Sequence, residues 1–181
     1  MRYLQRTKDF KIVYKRNESL ELVGYADANF AGCVDDLKST SGFVFLFGGV
    51  AVSWKSVKQS IVTTSTMQAE FIACDEATCQ AIWLKNFLTS LKVLGTIEKP
   101  IQIWNDNNSA ILFAKGNKRS IGGKPLLLKF LSVKEKISKG SIAMDYINTK
   151  SNLADPFNKG LSNKVFKGHV TSMGVLSGFD A

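Results

Sequence analysis

Histidine occurs once in this 181-residue chain, at His169, and cysteine three times, at Cys33, Cys74 and Cys79. A lone histidine with no clustered cysteine beside it argues against a zinc centre, and His169 reads as a surface residue of the tail. An odd cysteine count with no CxxC spacing argues against a disulfide framework. Cys74 and Cys79 lie five apart in an expected helix and face different ways, so all three cysteines read as reduced core thiols. No stretch approaches the roughly 20 apolar residues of a membrane span, and the N-terminus has no signal-peptide pattern. These absences point to a soluble intracellular protein of the cytosol or nucleus, not a secreted one. Internal repeats and low-complexity tracts are missing too, and a hydrophobic content of 45% is that of one ordinary globular core.

Acidic residues are in the minority. Asp and Glu total 15 against 24 Lys and Arg, for a formal charge of +9. The pI near 9.5 favours a polyanionic partner, nucleic acid first among them. The basic residues concentrate at Lys115, Lys118, Arg119, Lys124, Lys129, Lys134, Lys136 and Lys139, opposed by little more than Glu135. Taken alone, such a run is equally a solvated face.

Residues 1–18 are basic and end in a polar turn, so they read as a connection left from something upstream, and Met1 need not be a natural start. Residues 19–166 read as the folded domain, and 167–181 as a tail whose last stretch, MGVLSGFDA, frays. Leu20 to Ala28 reads as a strand. FVFLF, Gly48-Gly49 and VAVSW read as a hairpin beside it, three antiparallel strands in all. Ser65 followed by Gln68 fits a capping box, and Phe71, Cys74, Ile82, Trp83, Phe87 and Leu91 recur near helical spacing. Then come the short strand IQIW, a helix NSAILFAK, a basic helix over Leu127–Lys139, the strand SIAMDYI and a partly helical stretch from Ser151 to Phe166. The order describes an α/β domain with a mixed sheet flanked by helices. Trp54, Trp83 and Trp104 sit in apolar segments, where packing is the default reading.

Four acids sit at the ends of apolar segments: Asp27 in LVGYADANF, Glu70 in STMQAEFIAC, Asp106 in IQIWNDNNSA and Asp155 in SNLADPFNKG. Each has an ordinary reading. Asp27 could belong to an edge strand, Glu70 could face water on the first helical turn, and Asp106 and Asp155 could cap helices. As a set they point further, because buried acids pay a desolvation cost that a shared cationic partner offsets, most simply a pair of divalent metal ions.

The blocks RYLQRTKDF, LVGYADANFAGCVDDLKSTSGFVF, AVSWKSVKQS, STMQAEFIACDEA, IWLKNFL, WNDNNSAI, KFLSVKEKI and NLADPFNKGL closely resemble the ribonuclease H domain at the C-terminal end of copia-type (Ty1/copia), plant-like retrotransposon Pol polyproteins. The resemblance runs over nearly the whole chain. It implies a ribonuclease H-like fold, a five-stranded mixed sheet with its first three strands antiparallel. The family's acidic tetrad falls on Asp27, Glu70, Asp106 and Asp155, which would hold two Mg²⁺ ions, with Mn²⁺ as the alternative. By that resemblance Asp27 bridges both ions, Glu70 and Asp106 complete one site, and Asp155 serves the other. The implied activity is hydrolysis of the RNA strand of an RNA–DNA hybrid during reverse transcription, beside the reverse transcriptase of the parent polyprotein. The implied location is a cytoplasmic virus-like particle or the nucleus. Thr66, Gln68, Asn107 and Asn108 are candidate minor-groove contacts, and Lys115, Lys118, Arg119 and Lys124 candidate backbone contacts. The fragment is expected to be a monomer.

The chain departs from the family where Asn29 and Gln68 replace common acids, and where GGKPLLLKF replaces a basic block ending in Lys-His-Ile-Asp. There Pro125 stands at the histidine position and Leu127 at the aspartate position. Loss of that histidine could slow proton transfer or product release. Two other readings follow: a catalytically weak nucleic-acid-binding remnant of a decayed retrotransposon, or another nuclease on the same fold.

Overall fold

The computed structural model describes residues 7–14, 20–33, 35–91, 99–116 and 123–176. Gly48 and Gly49, at φ of 58° and 83°, reverse the chain between β3 (Thr40–Phe47) and β4 (Val50–Lys58). Both lie in the left-handed region that a two-residue hairpin turn favours. On its other side β3 pairs antiparallel with β2 (Leu22–Asn29), which completes the expected meander. The connection to β5 (Ile101–Asn105) contains the 25-residue helix α1 (Thr66–Ser90), and β5 returns parallel to β2. Helices α2 (Asn108–Lys115) and α3 (Lys124–Ser138) then precede β6 (Ile142–Tyr146), which is parallel to β5. The sheet order is β4-β3-β2-β5-β6, the five-stranded mixed sheet expected, with β2 at its centre.

Strand alternation sends the side chains of β3 to two cores. Phe43 and Phe45 join α1, α2 and α3 on one face, where Phe71 lies 4.9 Å from Phe113 and 6.4 Å from Phe130 between ring centroids. Val44 and Leu46 face a smaller cluster with Ala51, Leu153 and Met173. Gly24 leaves room for this packing, since a Cβ there would stand 2.5 Å from the Phe45 ring. Helix α1 is capped as expected at Ser65, whose Oγ accepts from the Gln68 amide at 3.3 Å. The return arm is displaced by one residue: Gln68 Oε1 accepts from the Thr64 amide and hydroxyl, both at 3.0 Å.

Several expectations are revised. The tail is paired: β7 (Val175–Leu176) runs antiparallel to β1 (Lys11–Ile12), following α4 (Asn163–Ser172). His169 is buried, not on the surface, because it lies one turn before Met173 on the face of α4 turned toward the second core. Trp54 and Trp83 are more than half exposed, on the edge strand β4 and on the far half of α1. Cys74 alone is a core thiol; Cys33 is half-buried and Cys79 exposed. Helix α3 starts earlier than expected, with Pro125 in its first turn, where its missing N–H costs nothing. No helix among the described residues is long and apolar enough to cross a membrane.

Candidate active site

Parallel strands end at the same edge of a sheet, and in open α/β sheets ligands bind beyond that edge. The β2–β5 ladder runs from Val23↔Gln102 to Tyr25↔Trp104 and stops. Side-chain amides take over there. Asn105 and Asn152 both donate to the Ala26 carbonyl, at 3.0 and 2.9 Å, and Asn158 donates to the Asp27 carbonyl at 2.8 Å. The strand end is thus fixed by three asparagines, two of them fully buried.

The four acids converge on this edge. Asp27 stands near the end of β2, Asp106 just past β5, Glu70 in the first turns of α1, and Asp155 on a single 3₁₀ turn, Asp155–Phe157. Asp27, Asp106 and Asp155 each offer one carboxylate oxygen, all within 4.8 Å of one another. Glu70 stands beside them, held by Asn105 Nδ2 at 3.0 Å from Oε2. Glu70 therefore does not face water, and Asp27 lies in the central strand, not at an edge.

The charges are strained by burial. Burial raises the Asp27 carboxyl to about 6, against the lowering pull of Lys159 and Asn158. Burial, and then the neighbouring charge of Asp27, raises Glu70 further, to about 8, against the hydrogen bond from Asn105. Lys159 Nζ lies 3.0 Å from Asp27 Oδ2 and 3.2 Å from Asp155 Oδ1. Burial alone would lower its pKa, but the two carboxylates raise it. A compact group of hard oxygen donors, short of positive charge, fits Mg²⁺ or Mn²⁺.

The nucleic-acid candidates divide. Thr66, Asn108 and Lys124 are exposed, Gln68 is occupied by Thr64, and Asn107 caps α2 by accepting from the Ala110 amide at 3.0 Å. Lys115 is exposed but paired with Asp145 at 2.9 Å. Lys118 and Arg119 lie outside the described residues. Farther along the basic run, Lys129 pairs with the buried Asp75, and Glu135 lies between Lys136 and Lys139. Sequence reasoning missed Asn105, Asn152, Asn158 and Lys159. Their one signal was position, since each lies within four residues of Asp106 or Asp155.

No family model matches the chain. Over 167 residues, 92% of its length, it is 33% identical to the retrovirus-related Pol polyprotein from transposon TNT 1-94 of Nicotiana tabacum, of which it spans 12%. Its structure is similar to the N-terminal ribonuclease H domain of Rv2228c from Mycobacterium tuberculosis, with a TM-score of 0.54 at 15% identity over 85% of this chain and 99% of that one. It is also similar to LC11-RNase H1, solved with an RNA/DNA hybrid, with a TM-score of 0.52 at 16% identity over 76% of this chain and 93% of that one. The fold is that of ribonuclease H. The chain belongs to the family of Pol polyproteins of copia-type retrotransposons, of which it represents a short segment.

Proposed function

We propose that this chain is a metal-dependent endonuclease that hydrolyses the RNA strand of RNA–DNA hybrids during retrotransposon reverse transcription. The observation that carries the reading is the meeting of Asp27, Asp106 and Asp155 within 4.8 Å, from three separate elements, with Glu70 alongside. These four side chains would hold two Mg²⁺ ions, or Mn²⁺ in their place. Such a pair, when bound, supplies an acidified water and neutralises charge on the attacking and leaving oxygens of an in-line displacement.

The chain's own work is positional. The Ala26 and Asp27 carbonyls, tied by Asn105, Asn152 and Asn158, hold the Asp27 carboxylate still on the central strand. Asn105 also orients Glu70. Preorganisation of this kind is what lets a carboxylate cluster act without rearranging at the moment of reaction. Thr66 and Asn108, exposed within four residues of Glu70 and Asp106, are the best placed of the candidate contacts to read the ribose 2′-OH, with the exposed Lys124 a candidate for the phosphates. The domain works beside the reverse transcriptase of its polyprotein, as a monomeric unit, in a cytoplasmic virus-like particle or the nucleus.

The test is cleavage of a labelled RNA–DNA hybrid with Mg²⁺, run beside RNA duplex, DNA duplex and the Asp106→Asn variant. RNA-strand cutting restricted to the hybrid and lost in the variant is the expected result. Pro125, at the position of a family histidine, favours a second reading as a binding remnant. Hybrid binding by a folded protein that does not cut would establish that one instead.

A further inference from the structure

Lys159 is the cation that sits against the acid cluster. Its ammonium reaches Asp27 Oδ1 at 3.2 Å, Asp27 Oδ2 at 3.0 Å and Asp155 Oδ1 at 3.2 Å. Asp27 and Asp155 are buried, where an unpaired charge is costly, and no other ammonium or guanidinium among the described residues is paired with either. The lysine is not locked in: its side chain is 35% exposed and leaves the chain just before the exposed Gly160. Its backbone is held, with the Lys159 amide donating to the Asp155 carbonyl at 3.0 Å. A fixed backbone with a long, partly solvated side chain allows the ammonium to swing out without unfolding the turn.

We propose that Lys159 is a resident counter-ion of the site, pairing Asp27 with Asp155 before metal arrives and giving up those same oxygens when a divalent cation binds. The inference rests on the metal-site reading above. Because metal binding must first break the lysine contacts, the exchange lowers the apparent metal affinity. The same contacts keep two buried carboxylates from repelling each other in the metal-free chain. Ion pairs of this partly buried kind are worth enough to shift a binding constant by about tenfold.

Two measurements on protein without substrate test this. The first is Mg²⁺ titration by calorimetry of wild type, Lys159→Met and Lys159→Arg, with melting temperatures in EDTA and in Mg²⁺. Lys159→Met keeps most of the aliphatic stem and removes the charge. It is expected to melt below wild type in EDTA, to gain more than wild type from Mg²⁺, and to bind the ion about tenfold more tightly, while Lys159→Arg stays near wild type. Equal affinity in wild type and Lys159→Met would overturn the role of Lys159 and leave the metal site standing. Absence of Mg²⁺ binding in both would overturn the metal site, and this inference with it. The second measurement needs no variant. Acetylation of wild-type lysines, read by peptide mass spectrometry, is expected to be slow at Lys159 in EDTA and faster in Mg²⁺, relative to the exposed Lys167. Labelling of Lys159 that Mg²⁺ leaves unchanged would count against displacement.

Discussion

Asn105 donates from Nδ2 to Glu70 Oε2 and to the Ala26 carbonyl, both at 3.0 Å, while its Oδ1 accepts from the Asn107 amide at 2.8 Å. One fully buried side chain thereby joins the end of β2, the start of α1 and the loop that carries Asp106. Replacing it with Ala removes the side-chain amide donor from the buried Glu70 carboxylate. We expect Asn105→Ala to cost about 2–3 kcal/mol of stability, read by urea denaturation, and to reduce hybrid cleavage beyond the loss of folded protein.

Asp106 is only half-buried, so its charge matters more to the site than to the fold. Asp106→Asn is expected to melt within a few degrees of wild type yet to cleave roughly 100-fold more slowly or worse, since a neutral amide is a poor ligand for Mg²⁺. Near-normal cleavage would rule out the acid cluster as the reaction centre.

The raised carboxyl of Glu70 carries a pH signature in chelator. Its pKa moves from 4.5 to about 8 on folding, so between those values the folded state binds more protons than the unfolded one. Stability of the metal-free protein therefore falls as pH rises through that window, and Asp27, raised from 3.8 to about 6, adds to the fall at its lower end. Melting temperatures in EDTA from pH 5 to 8 should decline, Glu70→Gln should flatten the decline, and Mg²⁺ should oppose it. A rise across the same range would contradict the burial of these groups.

Gly42 couples the sheet to the site. It pairs with Asp27 across β2 and β3, and a Cβ added there would stand 2.5 Å from Nδ2 of Asn158. That nitrogen donates to the Asp27 carbonyl at 2.8 Å and to its Oδ2 at 3.2 Å. Gly42→Ala should displace Asn158, destabilise by about 1–3 kcal/mol and weaken Mg²⁺ binding, as calorimetry would show. Unaltered Mg²⁺ affinity would mean that Asn158 does not steady Asp27.

Much of this was legible along the chain. Alternation and the Gly48-Gly49 turn marked the meander, Ser65 and Gln68 marked the start of α1, and the four acids stood out because carboxylates at the ends of apolar segments are costly without a partner. Exposure was less legible. Trp83 and Phe87 have the helical spacing of core residues, yet they stack on each other at 5.1 Å on a stretch of α1 where both are substantially exposed. Helical period tells which side chains share a face, but not where the neighbouring sheet ends.

By itself the sequence determined the order of the main elements, the strand that carries Asp27 and the candidate acids, because periodicity, turn chemistry and desolvation cost are local properties. Tertiary structure alone decided the rest: that Asn105, Asn152 and Asn158 complete the end of β2, that His169 turns inward, that β1 pairs with β7, and that Lys159 lies against Asp27, 132 positions away in the chain. Such contacts depend on which strand ends meet in space. A single asparagine or lysine looks the same in sequence whether it faces water or a buried carboxylate.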